Sequence, residues 1–152
     1  MKRITVMVCM VLAFFMGTFV FAEYAAAAKE IGRHGRFIAY DDGTVMDTST
    51  NLMWAARDNG SDINWYNAKS YCESYSGGGY TGWRMPTVDE LAGLYGSGNY
   101  ASVIKLTGDR VWASETRTGY EAVYFQFGYG KPHWTYQGYH IGHRALPVRS
   151  GK

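Results

Sequence analysis

Cysteine is nearly missing from this sequence. Only Cys9 and Cys72 occur in 152 residues, and Cys9 sits in an uncharged apolar run at the N-terminus that reads as a removable leader. With Cys9 gone one thiol remains, which excludes an intrachain disulfide framework. Acidic residues stop early: none follows Glu121, whereas Lys131, Arg144, Arg149, Lys152 and three of the four histidines do. The late part of the chain is therefore basic. Removing residues 1–22 takes away two of the fifteen Lys and Arg and none of the thirteen Asp and Glu, leaving thirteen of each. No nucleic-acid partner is expected of a mature chain without net charge. Also absent are a Gly-x-Ser-x-Gly nucleophile elbow and any plausible Cys-His pair, so covalent catalysis has no foothold. Gly128-Tyr129-Gly130-Lys131 is followed by Pro132 where a phosphate loop needs Ser or Thr, and reads as a hairpin turn. There is no internal repeat and no long low-complexity tract.

What is present describes a folded domain. Hydrophobic residues make up 47%, aromatics 16% and charged residues 18%, a balance that can bury a core. Nineteen glycines and thirteen tyrosines against few aliphatics favour a loop-rich, strand-containing α+β fold over a helical bundle. Lys2 and Arg3 followed by Ile4–Ala22 without charge, ending in Val20-Phe21-Ala22, predict a signal peptide over 1–22 and a periplasmic or extracellular location. An uncleaved anchor is the alternative, because the apolar run is long for a leader; no other membrane span is expected. Residues 23–35 read as a poorly ordered linker, and one domain occupies 36–152.

Within that domain Phe37–Tyr40 and Thr44–Met46 flank Asp41-Asp42-Gly43 as a hairpin, and Asn51–Ala55 is a strand carrying Trp54. Asn64 caps a helix whose stripe is Trp65, Ala68, Tyr71, Cys72 and Tyr75, with Ile63 and Ala68 at staple spacing. Cys72 on that apolar face is expected to be buried and inert. Gly77-Gly78-Gly79 ends the helix. Thr87-Val88-Asp89-Glu90 is a capping box, Val88, Leu91, Leu94 and Tyr95 form the buried face of a second helix, and Gly96 stops it. Strands follow at Val111–Ala113, Ala122–Phe127 and His133–Tyr136, and a last one at Arg144–Arg149, interrupted by Pro147.

Catalytic residues are not expected, since Asp41, Asp42 and Asp47 lie around turns and Asp89 and Glu90 belong to a helix start. Asp58-Asn59-Gly60-Ser61-Asp62 holds oxygens at short spacing but reads as turn and cap, not as a calcium loop. His140 and His143 differ in strand parity, so solvent-facing histidines are expected in place of a zinc site. No cofactor or metal is expected. The candidate ligand-binding set is Lys131, His133, Trp134, Tyr136, Tyr139, His140, His143 and Arg144: flat rings that stack on apolar sugar faces beside donors for hydroxyls or anions. These groups are expected to be partly wet and gathered on one side of the molecule. The implied role is a non-enzymatic binding domain for a glycan or other surface polymer, or a protein-interaction or structural module meeting another envelope protein.

Four segments together carry a family resemblance: Asp42–Asp47 leading to Thr50–Trp54; Trp65 through Cys72; Gly79–Thr87 with Glu90-Leu91; and Trp112–Thr116. The chain from about residue 36 onward is similar to the Lcl C-terminal domain family, named for the end domain of a bacterial collagen-like adhesin. The resemblance implies a C-type-lectin-like α+β fold, related to the formylglycine-generating-enzyme superfamily, with two short helices packed on small antiparallel sheets in exported bacterial proteins. The family's Trp-Arg-Leu-Pro segment maps onto Trp83, Arg84, Met85 and Pro86, read here as scaffold. With Trp54, Trp65, Cys72, Thr87, Glu90 and Trp112, these residues are assigned structural roles. Family members often carry a late cysteine in an Arg-Cys-Val-Arg ending, a candidate partner for the helix cysteine; Arg144-Ala145-Leu146-Pro147-Val148-Arg149 has none. The copper-dependent cysteine chemistry of the sulfatase-activating relatives and the Glu-Pro-Asn calcium loops of lectins do not transfer.

Overall fold

The computed structural model describes residues 27–151; the predicted leader over 1–22 lies outside them. The elements run β1 (Glu30–His34), β2 (Phe37–Tyr40), β3 (Thr44–Asp47), β4 (Leu52–Ala55), α1 (Trp65–Glu73), α2 (Val88–Gly96), β5 (Arg110–Arg117), β6 (Glu121–Gln126), β7 (Lys131–Tyr136), β8 (His143–Arg144) and β9 (Val148–Ser150). They build a five-stranded sheet ordered β1-β2-β3-β4-β9 and a four-stranded sheet ordered β7-β6-β5-β8. Among the described strands, β5 and β8 are the one pair that runs parallel. The domain is α+β and loop-rich, as the composition predicts.

Local chemistry sets most of these boundaries. In the first hairpin turn the Asp42 carboxylate accepts from the Thr44 amide and hydroxyl at 3.0 and 2.7 Å, and Gly43 takes the left-handed backbone (φ 80°) that the turn needs. Asn64 caps α1 by accepting from the Asn67 amide at 2.9 Å. Helix α1 ends at Glu73, so Gly77–Gly79 follow it as a separate 3-10 turn. Thr87 and Glu90 close the capping box of α2 in both directions, at 3.2 and 2.8 Å. Gly96 is the last residue of α2, but the stop is made two residues later by Gly98, whose φ is 72°.

Two hydrophobic clusters lie on opposite faces of the four-stranded sheet. One joins Phe37, Val45 and Trp54 of the first sheet to Leu91 and Leu94 of α2 and to Val111, Val123 and Phe125. The other packs Ala68 and Cys72 of α1 and Met85 against Trp112 and Ala122. Tyr95 is not sealed in α2's buried face: it remains 39% exposed with its ring against Phe125 and Phe127.

The segment Trp83–Glu90 is held by contacts within the domain. Trp83 is buried, meets Tyr75 edge-on at 4.9 Å and donates to the Tyr80 carbonyl. Arg84 grips Glu90 with both terminal nitrogens at 2.8 and 2.7 Å and also donates to the Met85 carbonyl. Burial pushes the Glu90 carboxyl upward, but the donors on Arg84 and Thr87 outweigh it and hold the group below its ordinary value. Buried Pro86 offers its carbonyl to the Ser114 amide at 2.9 Å.

Burial pushes the Cys72 thiol up to about 12, with the Glu73 charge adding to the shift. The expected result is negligible iodoacetamide labelling of the native protein at pH 8 and rapid labelling in guanidinium, read by mass spectrometry. Labelling at the rate of an exposed cysteine in the native state would contradict the burial.

Two expectations are corrected. Residues 30–34 of the predicted linker form β1, paired antiparallel with β2. Their side chains are mostly exposed, so backbone pairing holds this edge strand and hydrophobic patterning gave no signal of it. The predicted last strand, Arg144–Arg149, is two strands in two sheets, β8 beside β5 and β9 beside β4. Ala145, Leu146 and Pro147 are buried between them. An unalternating apolar stretch fills the core well, and Pro147 has no N–H to extend a ladder.

Candidate functional site

The placement of the ring-rich segment follows from the β6–β7 register. Directly opposite residues share a face, and the pairs are Glu121 with Tyr136, Ala122 with Thr135, Val123 with Trp134, Tyr124 with His133 and Gln126 with Lys131. Trp134 and Tyr136 therefore lie on the α2 side of the sheet, and Lys131 and His133 on the α1 side. The expectation of one gathered surface is corrected: strand parity divides the set between two faces.

On the α2 side the rings form an open rim. Trp134, Tyr136 and Tyr120 are 39%, 67% and 55% exposed. Tyr120 stacks on Tyr136 at 5.7 Å with planes 22° apart, and the Arg117 guanidinium lies 4.5 Å from the Trp134 ring centre. Arg117 is also paired with Glu121. Sequence reasoning missed Tyr120 and Arg117, which sit in the β5–β6 hairpin. The Thr118-Gly119 turn, whose residues both have left-handed backbone (φ 55° and 79°), folds this hairpin back, and the pairing of β6 with β7 then sets it beside the end of β7.

On the α1 side rings run inward from the surface. Exposed His133 stacks on Tyr124 at 5.5 Å, Tyr124 meets His143 edge-on at 4.5 Å, and His143 stacks on buried Trp112 at 4.4 Å. Exposed Tyr139 caps His143 edge-on; His140 is exposed on the same loop.

His143 is the second correction to the candidate set. It is 1% exposed, and its Nδ1 lies 3.0 Å from the Ile141 carbonyl. Burial is the main cause that lowers its pKa to about 4, so the ring is neutral, with Nδ1 donating and Nε2 left without a partner. The parallel pairing of β8 with β5 turns this side chain into the core, where it is closed to a surface ligand. Arg144 is likewise spent internally: it donates to Asp62 at 2.6 Å, to Thr107 Oγ1 at 2.8 Å and to the His143 carbonyl. That hydrogen bond holds the Asp62 carboxyl below its ordinary value.

The 58–62 loop is a brace. Buried Asp58 accepts from the Thr107 amide and hydroxyl and from the Gly60 amide at 2.6 to 2.9 Å, and Asn59 accepts from the Ala145 amide. Among the described residues no three His, Cys, Asp or Glu side chains come together as a metal site. No described helix is long and apolar enough to cross a membrane.

Two helices set on opposite faces of a twisted sheet, with wet rings left along its outer strand, define a small α+β domain whose conspicuous chemistry is at its surface. The chain belongs to the Lcl C-terminal domain family, whose model matches residues 43–149. The match spans the hairpin after Asp42, both helices and β5 through most of β9. A search of the curated proteins found no match.

Proposed function

We infer that this chain is an exported, non-enzymatic domain that binds a glycan or another surface polymer in the bacterial envelope or outside the cell. One observation carries the reading: Tyr120, Trp134 and Tyr136 stay exposed on one face, with Arg117 held over Trp134. Rings that the core does not need, kept flat and supported by a guanidinium, suit the apolar faces of sugars. The non-enzymatic part rests on how the carboxylates are used. Asp47 pairs with Arg36, Asp58 with Thr107, Glu90 with Arg84, and Glu115 accepts from the Val88 amide. Each is committed to holding the fold.

The purified domain on a glycan array tests this. Trp134→Ala with Tyr136→Ala is expected to weaken the strongest signals about tenfold while leaving the circular dichroism unchanged. Undiminished binding by that variant would refute the rim. A second reading has its own support: β7 is an edge strand of its sheet, and an open edge strand can pair with a partner chain. A blank array beside capture of an envelope protein through Trp134 would favour it.

A further inference from the structure

We propose a second site, separate from the rim of β7: the groove between α1, the Trp83–Thr87 loop and β5 binds one neutral, hydroxylated sugar ring. The groove has a volume of about 280 Å3, and Trp65, Met85, Arg84, Ser114 and Thr116 are among the residues that line it. It goes beyond the rim reading and does not depend on it.

A break in the β5–β6 register builds it. Trp112 pairs with Tyr124 and Thr116 with Ala122, so three residues of β5 face one of β6. Such a bulge re-aims side chains. Here the Ser114 amide bonds to the Pro86 carbonyl at 2.9 Å, and the Glu115 carboxylate accepts from the Val88 amide at 2.9 and 3.1 Å. The bulge is thereby locked to the start of α2, and the side chains of Ser114 and Thr116 are left to line the groove. Trp65 is fixed from the opposite side, because its indole N–H donates to the Ala113 carbonyl at 2.9 Å. The ring is half-buried and cannot swing, so it presents a surface of set orientation. Three of the four segments that carry the family resemblance, Trp65–Cys72, Gly79–Thr87 and Trp112–Thr116, thus meet around one concavity.

Charge decides the class of ligand. Lys69 on the groove wall is paired with Glu73, and Arg84 with Glu90. Each cation already holds a carboxylate, so an anion would have to compete with an internal partner. Uncommitted groups remain: the Ser114 and Thr116 hydroxyls have no hydrogen-bond partner among the described residues, and both residues are exposed. A pinned aromatic surface, a thioether side chain and unpaired hydroxyls without net charge fit a pyranose. Its C–H face lies on apolar surface, and its hydroxyl edge both donates and accepts.

The test is nuclear magnetic resonance titration of the full domain with methyl glycosides of glucose, galactose and mannose, with glucuronate as the anionic comparator. At least one neutral glycoside is expected to shift the Trp65 indole N–H and Met85 methyl signals saturably, with glucuronate weaker. Ser114→Ala and Thr116→Val, both exposed positions, are each expected to weaken that binding about fivefold. Trp134→Ala should leave it unchanged, so failure of the rim and failure of the groove are separate results. Three outcomes would overturn the proposal: no shift at Trp65 with any neutral glycoside, tighter binding of glucuronate, or wild-type affinity in the Ser114→Ala, Thr116→Val double variant.

Discussion

Trp112→Ala is expected to destabilise the domain by about 4 kcal/mol, measured by guanidinium unfolding. Trp112 is fully buried and is the hub of the ring column on the α1 side of the four-stranded sheet. It stacks on His143 at 4.4 Å, meets Tyr124 edge-on at 6.0 Å, and donates from Nε1 to the Ile63 carbonyl at 2.8 Å. Alanine would remove the ring, open a cavity under α1 and leave that carbonyl unpaired. A loss of this size is a large fraction of the stability of an ordinary domain. Trp112→Phe keeps most of the volume but not the donor, and is expected to cost about 1–3 kcal/mol. A cost below about 1 kcal/mol for the alanine variant would mean that α1 does not depend on this column.

The second large effect is a dependence of stability on pH. His143 titrates at about 4 in the folded protein, against an ordinary value of 6.5. Between those values the unfolded chain takes up a proton that the folded chain refuses, so stability falls as pH falls through this window. The difference corresponds to about 3 kcal/mol. Arg110 opposes the charged ring, whereas Asp62, Asp109 and the Ile141 carbonyl favour it; burial outweighs these. Glu90 acts in a different range. Its folded value is lowered, so the stability it contributes is present at neutral pH and is lost only as pH falls below the ordinary carboxyl range. Unfolding midpoints measured from pH 7 to 5 should therefore report His143. His143→Phe, which keeps a flat ring on Trp112 and cannot titrate, should flatten the slope. An unchanged slope in that variant would assign it to another group.

The sequence made some parts of this fold legible and hid others, for physical reasons. Asn64, the Thr87–Glu90 box and Asp42 act on amides within three residues of themselves, so their roles can be read locally. The burial of Cys72 followed from its place on a helical stripe. The surface was harder. Whether Trp134 and His133 share a face depends only on parity within β7, and that was readable. Which neighbours they meet depends on the pairing of β5, β6 and β7. Tyr120 and Arg117 join Trp134 through two hairpins, and neither turn alone shows it. His143 is sealed by a parallel pairing with a strand more than thirty residues earlier, which no periodicity in a two-residue strand could reveal. Arg84 and Trp65 were read as scaffold from the Trp-Arg-Met-Pro segment and the helical stripe alone, and the concavity they line depends on the β5 bulge, which no local pattern shows.

The division of residues 143–150 between the two sheets has a consequence for synthesis. Leu146 and Val148 complete the main cluster, β9 pairs with β4, Val148 exchanges amide hydrogen bonds with Arg84, and the His143 carbonyl takes the Ile63 amide. A nascent polypeptide lacking this stretch has neither sheet whole and no lid on its interior. Neither sheet can be completed before these residues have left the ribosome.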